Sequence, residues 1–265
     1  MDRSGQRVLV ANYGGGSVAS LPITADGSLE PATGFVQHTG MGADPKRQKG
    51  PHAHMIEPDP DGRLVLAADL GLDKVLLYRL DAKTGALAPA DPPHVSTAPG
   101  AGPRHFAFSP DGRDLYLFNE IPLTITRFAR KNGRLTEKET VSSLPAGVTP
   151  GEGDSGAEIV VHPSGRFVYA SNRGVDQLVV FARDAATGRL TVVEHVPSGG
   201  KSPRSFAIDP SGRWLVAVHQ RSERAQVVVF GVDPASGRLS PTGQTVQVGA
   251  PVAATFFTPP GQAKR

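Results

Sequence analysis

Ionisable side chains recur at corresponding positions of a repeated segment, and their types suit anion binding and proton transfer. Arginine presents a planar fork of donors that matches carboxylate or phosphate oxygens, whereas histidine and glutamate can accept a proton from water. Seven or eight residues before a repeated turn glycine, the sequence has His54, Arg104, His105, Glu158 and Arg204. Eight residues after that glycine, it has Glu120, Arg173 and Gln220. The pattern predicts one polar site assembled from several repeats.

The chemistry that these residues favour is the activation of water beside a carbonyl group. Glu120, His52 or His54 would act as the general base, while Arg104 and Arg173 would hold substrate oxygens and stabilise an oxyanion. The residues expected to bind the substrate around them are Lys46, Arg47, His105, Glu158, Arg204 and Gln220. No Ser-His-Asp order or nucleophile-elbow motif indicates a covalent mechanism instead.

A purely structural interpretation of the charged residues stays open. Arg104, Arg173 and Arg204 repel one another when they are crowded together, unless an acid or a bound anion neutralises them. Glu120 and Glu158 are the candidates for that neutralisation, and they would then form a satisfied ring of ion pairs without catalysis.

The long connection over residues 31–54 is basic and contains two histidines close to its end. Lys46 and Arg47 either face solvent or add to the field that attracts an anion. His52 and His54 are two residues apart and would share one face of a strand, which allows a metal site as a weaker alternative. Because no metal-ligand spacing is evident, we expect neither a metal nor an organic cofactor.

The elements that position these residues are β-hairpins. Residues 106–118, FAFSPDGRDLYLF, combine a short apolar run, a Pro-Asp-Gly turn and a return strand. Three further stretches follow the template at 55–68, 159–171 and 206–218, and a partial copy lies at 4–13. Because an antiparallel hairpin brings its outer ends together, the ionisable residues are expected at one open end of each hairpin.

Each hairpin is followed by a third strand and a more polar fourth strand. The turn glycines lie 47 to 53 residues apart, and four strands at this period are typical of a β-propeller blade. We therefore predict an all-β propeller of four-stranded blades, with a repeated β-sandwich as the alternative. One domain is expected over residues 1–258, followed by a flexible tail at 259–265, and residues 251–257 are predicted to be an inner strand.

Composition excludes several other classes of protein. The 265 residues carry a dispersed formal net charge of +3, which gives no indication of nucleic-acid binding. Because the chain has no cysteine, it has neither disulfides nor thiol catalysis. No signal peptide or apolar run long enough to span a membrane is evident, so a cytoplasmic protein without membrane contact is expected. The oligomeric state is not specified by the sequence.

Several motifs together resemble those of the lactonase family of seven-bladed β-propellers. They are GPHAH (50–54), ADLGLDKV (68–75), PGAGPRHFAFSPDGR (99–113), NE (119–120), AEIVVHPSGRFVYASNRG (157–174) and SPRSFAIDPSGR (202–213). NYGGGSV (12–18) is similar to the second blade of that family, so about five blades are expected here, without the N-terminal part. A five-bladed ring that is closed by the terminal strands is the alternative. The resemblance implies a site made of a histidine in GPHAH with Arg104, Glu120 and Arg173.

The resemblance also implies a reaction. We expect a lactone hydrolase that acts on a small anionic lactone, with 6-phosphogluconolactone of the pentose phosphate pathway as the first candidate. A cycloisomerase that opens or closes a muconolactone is an alternative, because the same arginines would bind its carboxylates. A non-catalytic propeller that serves as an interaction scaffold is the alternative from another class.

Overall fold

The computed structural model describes residues 1–221 and 227–257, and within these ranges the regular elements are β-strands. The chain divides into two compact units, the first Met1–Ser142 and the second beginning at Ser143. The first unit contains β1 (Arg7–Asn12), β2 (Ser17–Pro22), β3 (Gly34–Gln37), β4 (Ala53–Pro58), β5 (Val65–Asp69), β6 (Lys74–Leu80), β7 (Leu87–Ser96), β8 (Pro103–Phe108), β9 (Asp114–Asn119), β10 (Thr124–Lys131) and β11 (Arg134–Ser142). The second contains β12 (Ser155–Val161), β13 (Phe167–Arg173), β14 (Gln177–Arg183), β15 (Leu190–Pro197), β16 (Pro203–Ile208), β17 (Trp214–His219), β18 (Val227–Val232) and β19 (Leu239–Val246).

Every sheet is an antiparallel meander whose strands follow one another in sequence order. In the first unit, β1-β2-β3 form a three-stranded sheet, and β4-β5-β6-β7 and β8-β9-β10-β11 form four-stranded sheets. In the second unit, β12-β13-β14-β15 and β16-β17-β18-β19 form four-stranded sheets. The predicted all-β arrangement of four-stranded repeats is confirmed for four of the sheets, and the first sheet, which contains the partial copy at 4–13, has three strands.

The turn chemistry explains why the first two strands of a sheet pair. Between β8 and β9, the N–H of Gly112 donates to the carbonyl of Ser109 over 2.8 Å, and Gly112 has a φ of 67°. A residue with a side chain rarely adopts this left-handed conformation, so glycine is required at that corner. The Ser109 N–H in turn donates to the Asp114 carbonyl, which begins the ladder of β9.

The second strand of each four-stranded sheet of the first unit is buried on both faces. Val65 of β5 packs in a cluster with Leu9 of β1, whereas the neighbouring Leu66 packs in a different cluster with Phe106 of β8. Because successive side chains of a strand point to opposite faces, adjacent apolar residues serve two different cores. Such burial accounts for the continuous apolar run of β5.

The inner strand of each four-stranded sheet contains a register shift close to its open end. In the first unit, the shift lies between Ala53 and Met55 in β4 and between Pro103 and His105 in β8. In the second unit, it lies between Gly156 and Ile159 in β12 and between Pro203 and Ser205 in β16. A bulge of this kind turns the side chain of the extra residue away from regular alternation.

One predicted element is wrong. Pro251–Phe257 forms no strand, and the last strand that the structure describes is β19, ending at Val246. The composition of this segment suits a strand, but a strand exists only where a neighbour completes its hydrogen bonds, and Pro251 has no N–H to donate. The tail predicted at 259–265 lies outside the described residues. That residues 1–258 form a single domain stays a prediction.

Candidate active site

Glu120 lies at the centre of an ion-pair cluster in the first unit. Its Oε2 is 3.0 Å from Nε of Arg104, and its Oε1 pairs with Nη2 of Arg47. Arg104 and Glu120 are only 1% and 4% exposed. Since the two guanidinium groups stabilise the ionised carboxylate, Glu120 holds both cations in fixed positions.

The hairpin of β8 and β9 brings Arg104 and Glu120 to the same end, as the register predicted. Glu120 directly follows β9, and its N–H donates to the carbonyl of Gly102 over 2.8 Å, just before β8 begins. Arg104 is the extra residue of the bulge between Pro103 and His105. The bulge releases Arg104 from the alternation of β8, which aims its guanidinium at Glu120.

Arg47 is presented by the long basic connection rather than by a strand. Oδ1 of Asp44 accepts the N–H groups of Lys46 and Arg47 over 2.7 and 2.9 Å, which folds the loop into a tight turn. Burial opposes the charge of Arg47, but the hydrogen bond and negative charge of Glu120 outweigh it and raise the pKa of Arg47. The phenol of Tyr13 also favours the charged form. Lys46 itself is exposed.

Three histidines and a tyrosine lie together beside this loop. Nε2 of His105 and Nδ1 of His54 are 3.2 Å apart, so one ring donates to the other. His54 is the extra residue of the bulge in β4, as Arg104 is in β8. Tyr13 stacks on His52 with ring centroids 4.6 Å apart and meets His54 edge to face at 5.3 Å. Both GPHAH histidines therefore face the same tyrosine.

Tyr13 joins the two groups into one continuous surface. Its phenol favours the charged form of Arg47, which pairs with Glu120, while its ring contacts His52 and His54. We call this set the first-unit cluster; its members are Tyr13, Arg47, His52, His54, Arg104, His105 and Glu120. It combines imidazoles that can exchange a proton with guanidinium groups that can bind oxyanions.

Asp73 anchors the two loops that carry the arginines, a role that sequence reasoning missed. Its carboxylate accepts the side-chain amide of Gln48 over 2.6 Å, and the N–H groups of Gly100 and Gly102 over 2.8 and 2.9 Å. Gln48 is the neighbour of Arg47, and Gly102 is two residues before Arg104. Asp73 is part of the recognised ADLGLDKV motif, but a motif alone does not reveal which backbone groups an aspartate binds.

A buried hydrogen-bond network that includes Asp69, His38 and Tyr78 holds the backbone of His52. Asp69, the fully buried last residue of β5, accepts the His52 N–H over 2.7 Å and pairs with Nδ1 of His38 over 2.6 Å. Nε2 of His38 lies 2.9 Å from the hydroxyl of Tyr78. Burial and the nearby charge of Asp69 raise the pKa of Tyr78 to about 12. His38 lies outside the repeated registers, so no sequence signal identified it.

The second unit contains the other predicted site residues. Oε2 of Glu158 accepts the hydroxyl of Ser205 over 3.0 Å, and Nη2 of Arg173 donates to the Gly156 carbonyl over 2.8 Å. Nη1 of Arg204 lies 3.4 Å from Oε1 of Gln220. Arg173, Arg204 and Gln220 line a cleft of about 380 Å³.

The predicted site residues thus fall into two groups, each described within its own unit. His52, His54, His105, Arg47, Arg104 and Glu120 lie together in the first unit. Glu158, Arg173, Arg204 and Gln220 lie in the second unit. Among residues 1–221 and 227–257, no three His, Asp or Glu side chains are placed to hold a metal ion. The assignment of all these residues to one catalytic centre stays a prediction.

Comparison with known proteins identifies relatives over almost the whole chain. Residues 1–256 match the sequence profile of the family described as Lactonase, 7-bladed beta-propeller. A 6-phosphogluconolactonase of Bacillus subtilis (strain 168) is 38% identical over 259 residues, which are 97% of this chain and 72% of the relative. A 6-phosphogluconolactonase of Formosa agariphila is 31% identical and is likewise covered over 72% of its length.

A solved structure agrees with these sequence relatives. The periplasmic gluconolactonase of Pseudomonas aeruginosa superimposes with a TM-score of 0.88 at 41% identity, covering 95% of this chain and 70% of that protein. Identity at this level, together with the close superposition, indicates shared ancestry as well as a shared fold.

Proposed function

Because the chain belongs to the lactonase family of seven-bladed β-propellers, we propose that it hydrolyses a lactone, with 6-phosphogluconolactone as substrate and 6-phosphogluconate as product. Relatives named 6-phosphogluconolactonase support this reaction, which supplies the pentose phosphate pathway. The relative of known structure named gluconolactonase supports the same reaction class. The lactone hydrolase predicted from the sequence is confirmed by these relatives.

Lactone hydrolysis needs a base for water and cations for the developing oxyanion. The water oxygen attacks the carbonyl carbon, its proton passes to the base, and the ring C–O bond then breaks with protonation of the leaving oxygen. Donors fixed at the position of the oxyanion lower the barrier without having to reorganise during the reaction. The first-unit cluster offers both kinds of group within one contiguous surface.

The assignment of roles depends on one observation: both carboxylate oxygens of Glu120 contact guanidinium groups. In this proposal Glu120 positions Arg47 and Arg104, which bind the carbonyl oxygen or the anionic group of the substrate. The His54–His105 pair takes the proton from water, because a neutral imidazole is an effective base close to neutral pH.

The first test compares rates of 6-phosphogluconolactone hydrolysis, corrected for the spontaneous reaction. Arg47→Ala is expected to lower kcat/KM about 10- to 100-fold, because an oxyanion or substrate anion loses a charged donor. Arg104→Ala is expected to lower it about 100- to 1,000-fold. Arg63→Ala, which removes an exposed arginine at a hairpin turn, should leave the rate unchanged.

Because Arg104 is buried, its truncation could act by unfolding the chain, so Arg47→Ala decides the outcome. Arg47 has a side chain that is 40% exposed, and its variant is expected to keep the β-sheet circular dichroism of the parent. Parental kcat/KM in folded Arg47→Ala and Glu120→Gln variants would remove this cluster from the mechanism. Activity on a muconolactone but not on the sugar lactone would identify the cycloisomerase instead.

The site of action within the cell stays a prediction. The described part of the chain contains no helix that is long and apolar enough to cross a membrane. The sequence analysis favours the cytoplasm, whereas the Pseudomonas aeruginosa relative is named periplasmic. A small anionic lactone is the proposed partner in either compartment.

A further inference from the structure

Lactone hydrolysis needs an acid as well as a base, because the ring oxygen leaves as an alkoxide unless it receives a proton. An alkoxide is strongly basic and leaves slowly, and a positioned acid that protonates it contributes about 10²- to 10⁴-fold to the rate. The donor should therefore lie within the first-unit cluster, beside the proposed base and the arginines.

Several members of the first-unit cluster are unsuited to giving up a proton. Arg47 and Arg104 stay protonated, because a guanidinium group is not deprotonated in proteins. Glu120 lies between them, and an ionised carboxylate only accepts hydrogen bonds. Nδ1 of His52 is 3.1 Å from the Tyr13 carbonyl, which only accepts, so a neutral ring carries its hydrogen on Nδ1 and has none on Nε2.

Tyr13 has a proton to donate and lies among these groups. Its ring stacks on His52 with centroids 4.6 Å apart and planes 18° apart, and it meets the ring of His54 edge to face at 5.3 Å. Its phenol favours the charged form of Arg47, so the hydroxyl lies beside a cation. Because 40% of the residue is exposed, substrate and solvent can both reach this side chain.

The turn that carries Tyr13, between β1 and β2, is held by neighbouring elements. Nε2 of Gln37, at the end of β3, donates to the Gly16 carbonyl over 2.9 Å. A Cβ at Gly16 would lie only 2.5 Å from the carbonyl oxygen of Pro51, so the turn packs directly on the segment that precedes His52. The phenol is thus presented in one place, as an acid that acts on a bound substrate requires.

We propose that Tyr13 is the general acid of the reaction, an inference that rests on the proposed lactone hydrolysis. Water attacks the carbonyl carbon, and the His54–His105 pair takes its proton. The ring C–O bond then breaks, its electron pair goes to the ring oxygen, and the phenolic proton is transferred to that oxygen. Arg47 attracts the negative charge left on the phenol. Solvent returns a proton to the phenol and accepts one from the imidazole, so the cycle consumes one lactone and one water.

Tyr13→Phe tests this role because it removes the hydroxyl and keeps the ring that stacks on His52. On 6-phosphogluconolactone we expect kcat to fall about 100-fold, because the donor of the proton is lost, with KM unchanged within about threefold. Tyr169→Phe removes a phenol hydroxyl from the second unit, and this matched control should keep the parental kcat. Circular dichroism shows whether both variants fold.

A second substrate separates proton donation from packing. Dihydrocoumarin is a six-membered lactone whose leaving oxygen becomes a phenolate, which is a much weaker base than an alkoxide and departs without a donated proton. We expect Tyr13→Phe to lower kcat on dihydrocoumarin by less than about threefold. Equal losses on the two substrates would overturn the assignment, because a distorted site would affect both alike.

Parental kcat of folded Tyr13→Phe on 6-phosphogluconolactone would overturn the inference and leave the proposed hydrolysis standing. A loss of kcat in Tyr13→Leu but not in Tyr13→Phe would assign the ring a packing role and would overturn it as well. A parent chain that hydrolyses neither lactone would refute the proposed reaction itself, so the two failures are distinguishable.

Discussion

At the scale of single residues, the main feature is the division of labour between carboxylate and imidazole. Glu120 is buried between Arg47 and Arg104, so its two oxygens are committed to holding cations. His54 and His105 share one hydrogen bond and are only partly buried. Because an imidazole nitrogen can accept a proton, this pair is the proposed base.

This division predicts which side chains the reaction depends on. His54→Gln should reduce kcat about 100-fold or more, because the attacking water then loses the base that takes its proton. Parental kcat in both His54→Gln and His105→Gln would assign the base elsewhere. His94→Gln, which alters a histidine on β7, serves as the control.

Tyr78 predicts a stability difference at alkaline pH. Its pKa is raised from 10.0 to about 12 by burial and by Asp69, so the folded state holds the phenol proton more tightly than the unfolded state. The resulting contribution to the free energy of unfolding is fully present below pH 10 and is lost between pH 10 and about 12. The difference of two pKa units corresponds to a contribution of roughly 2–3 kcal/mol. Urea unfolding should show that the free energy of unfolding falls less for Tyr78→Phe than for the parent between pH 10 and about 12. Equal losses would contradict the assignment of this effect to Tyr78.

At the scale of elements, strand ends and loops decide where the chemistry lies. The bulges of β4 and β8 aim His54 and Arg104, while one carboxylate, Asp73, joins the Arg47 loop to the turn before β8. Asp73 has a φ of 55°, a conformation that aspartate tolerates better than most residues. Its side-chain hydrogen bonds hold it there, so the geometry of both loops depends on a residue outside the first-unit cluster.

Replacing Asp73 should therefore reduce activity through position alone. Asp73→Gly removes the carboxylate without a backbone penalty at positive φ, and we expect at least a tenfold loss of kcat/KM in a chain that still folds. Asp73→Asn retains one acceptor and should recover part of the rate. Asp81→Ala, which also loses two backbone hydrogen bonds but in an exposed turn, should behave like the parent. Equal activity of Asp73→Gly and the parent would show that the loops hold their own shape.

At the scale of the whole molecule, the repeat of sheets accounts for how the chain builds its cores. Phe106 and Leu66 are at most 2% exposed and belong to one cluster, while Phe206 and Tyr169 occupy a corresponding cluster in the second unit. The all-β propeller class predicted from the repeat is confirmed by the sheet order and the family match. Within each unit, neighbouring sheets bury one another's apolar residues, so stability depends on the alternation within each strand.

Truncation in such a core should destabilise the fold far more than the same change at the surface. Leu66→Ala should lower the free energy of unfolding by about 2–5 kcal/mol, because it removes buried methyl groups and leaves a cavity. Leu29→Ala, at a residue that is 51% exposed, should change it by less than about 0.5 kcal/mol. Urea denaturation at neutral pH measures both values, and similar losses would contradict the two-faced burial of β5.

The sequence by itself determined the hairpins, their period and the end at which the charged residues gather. These features depend on neighbours along the chain, because turn residues set the corners and alternation sets the faces. It also identified the members of the Glu120–Arg104 pair, since both belong to one hairpin.

Only the tertiary structure decided which distant groups meet. The contact of Arg47 with Glu120 joins residues 73 positions apart, and the His38–Asp69 pair joins residues 31 apart. No local spacing encodes such pairs, because they depend on how loops fold over neighbouring sheets. The same reason explains the error at Pro251–Phe257: local composition suits a strand, but the hydrogen-bonding neighbour that would make it one is a tertiary property.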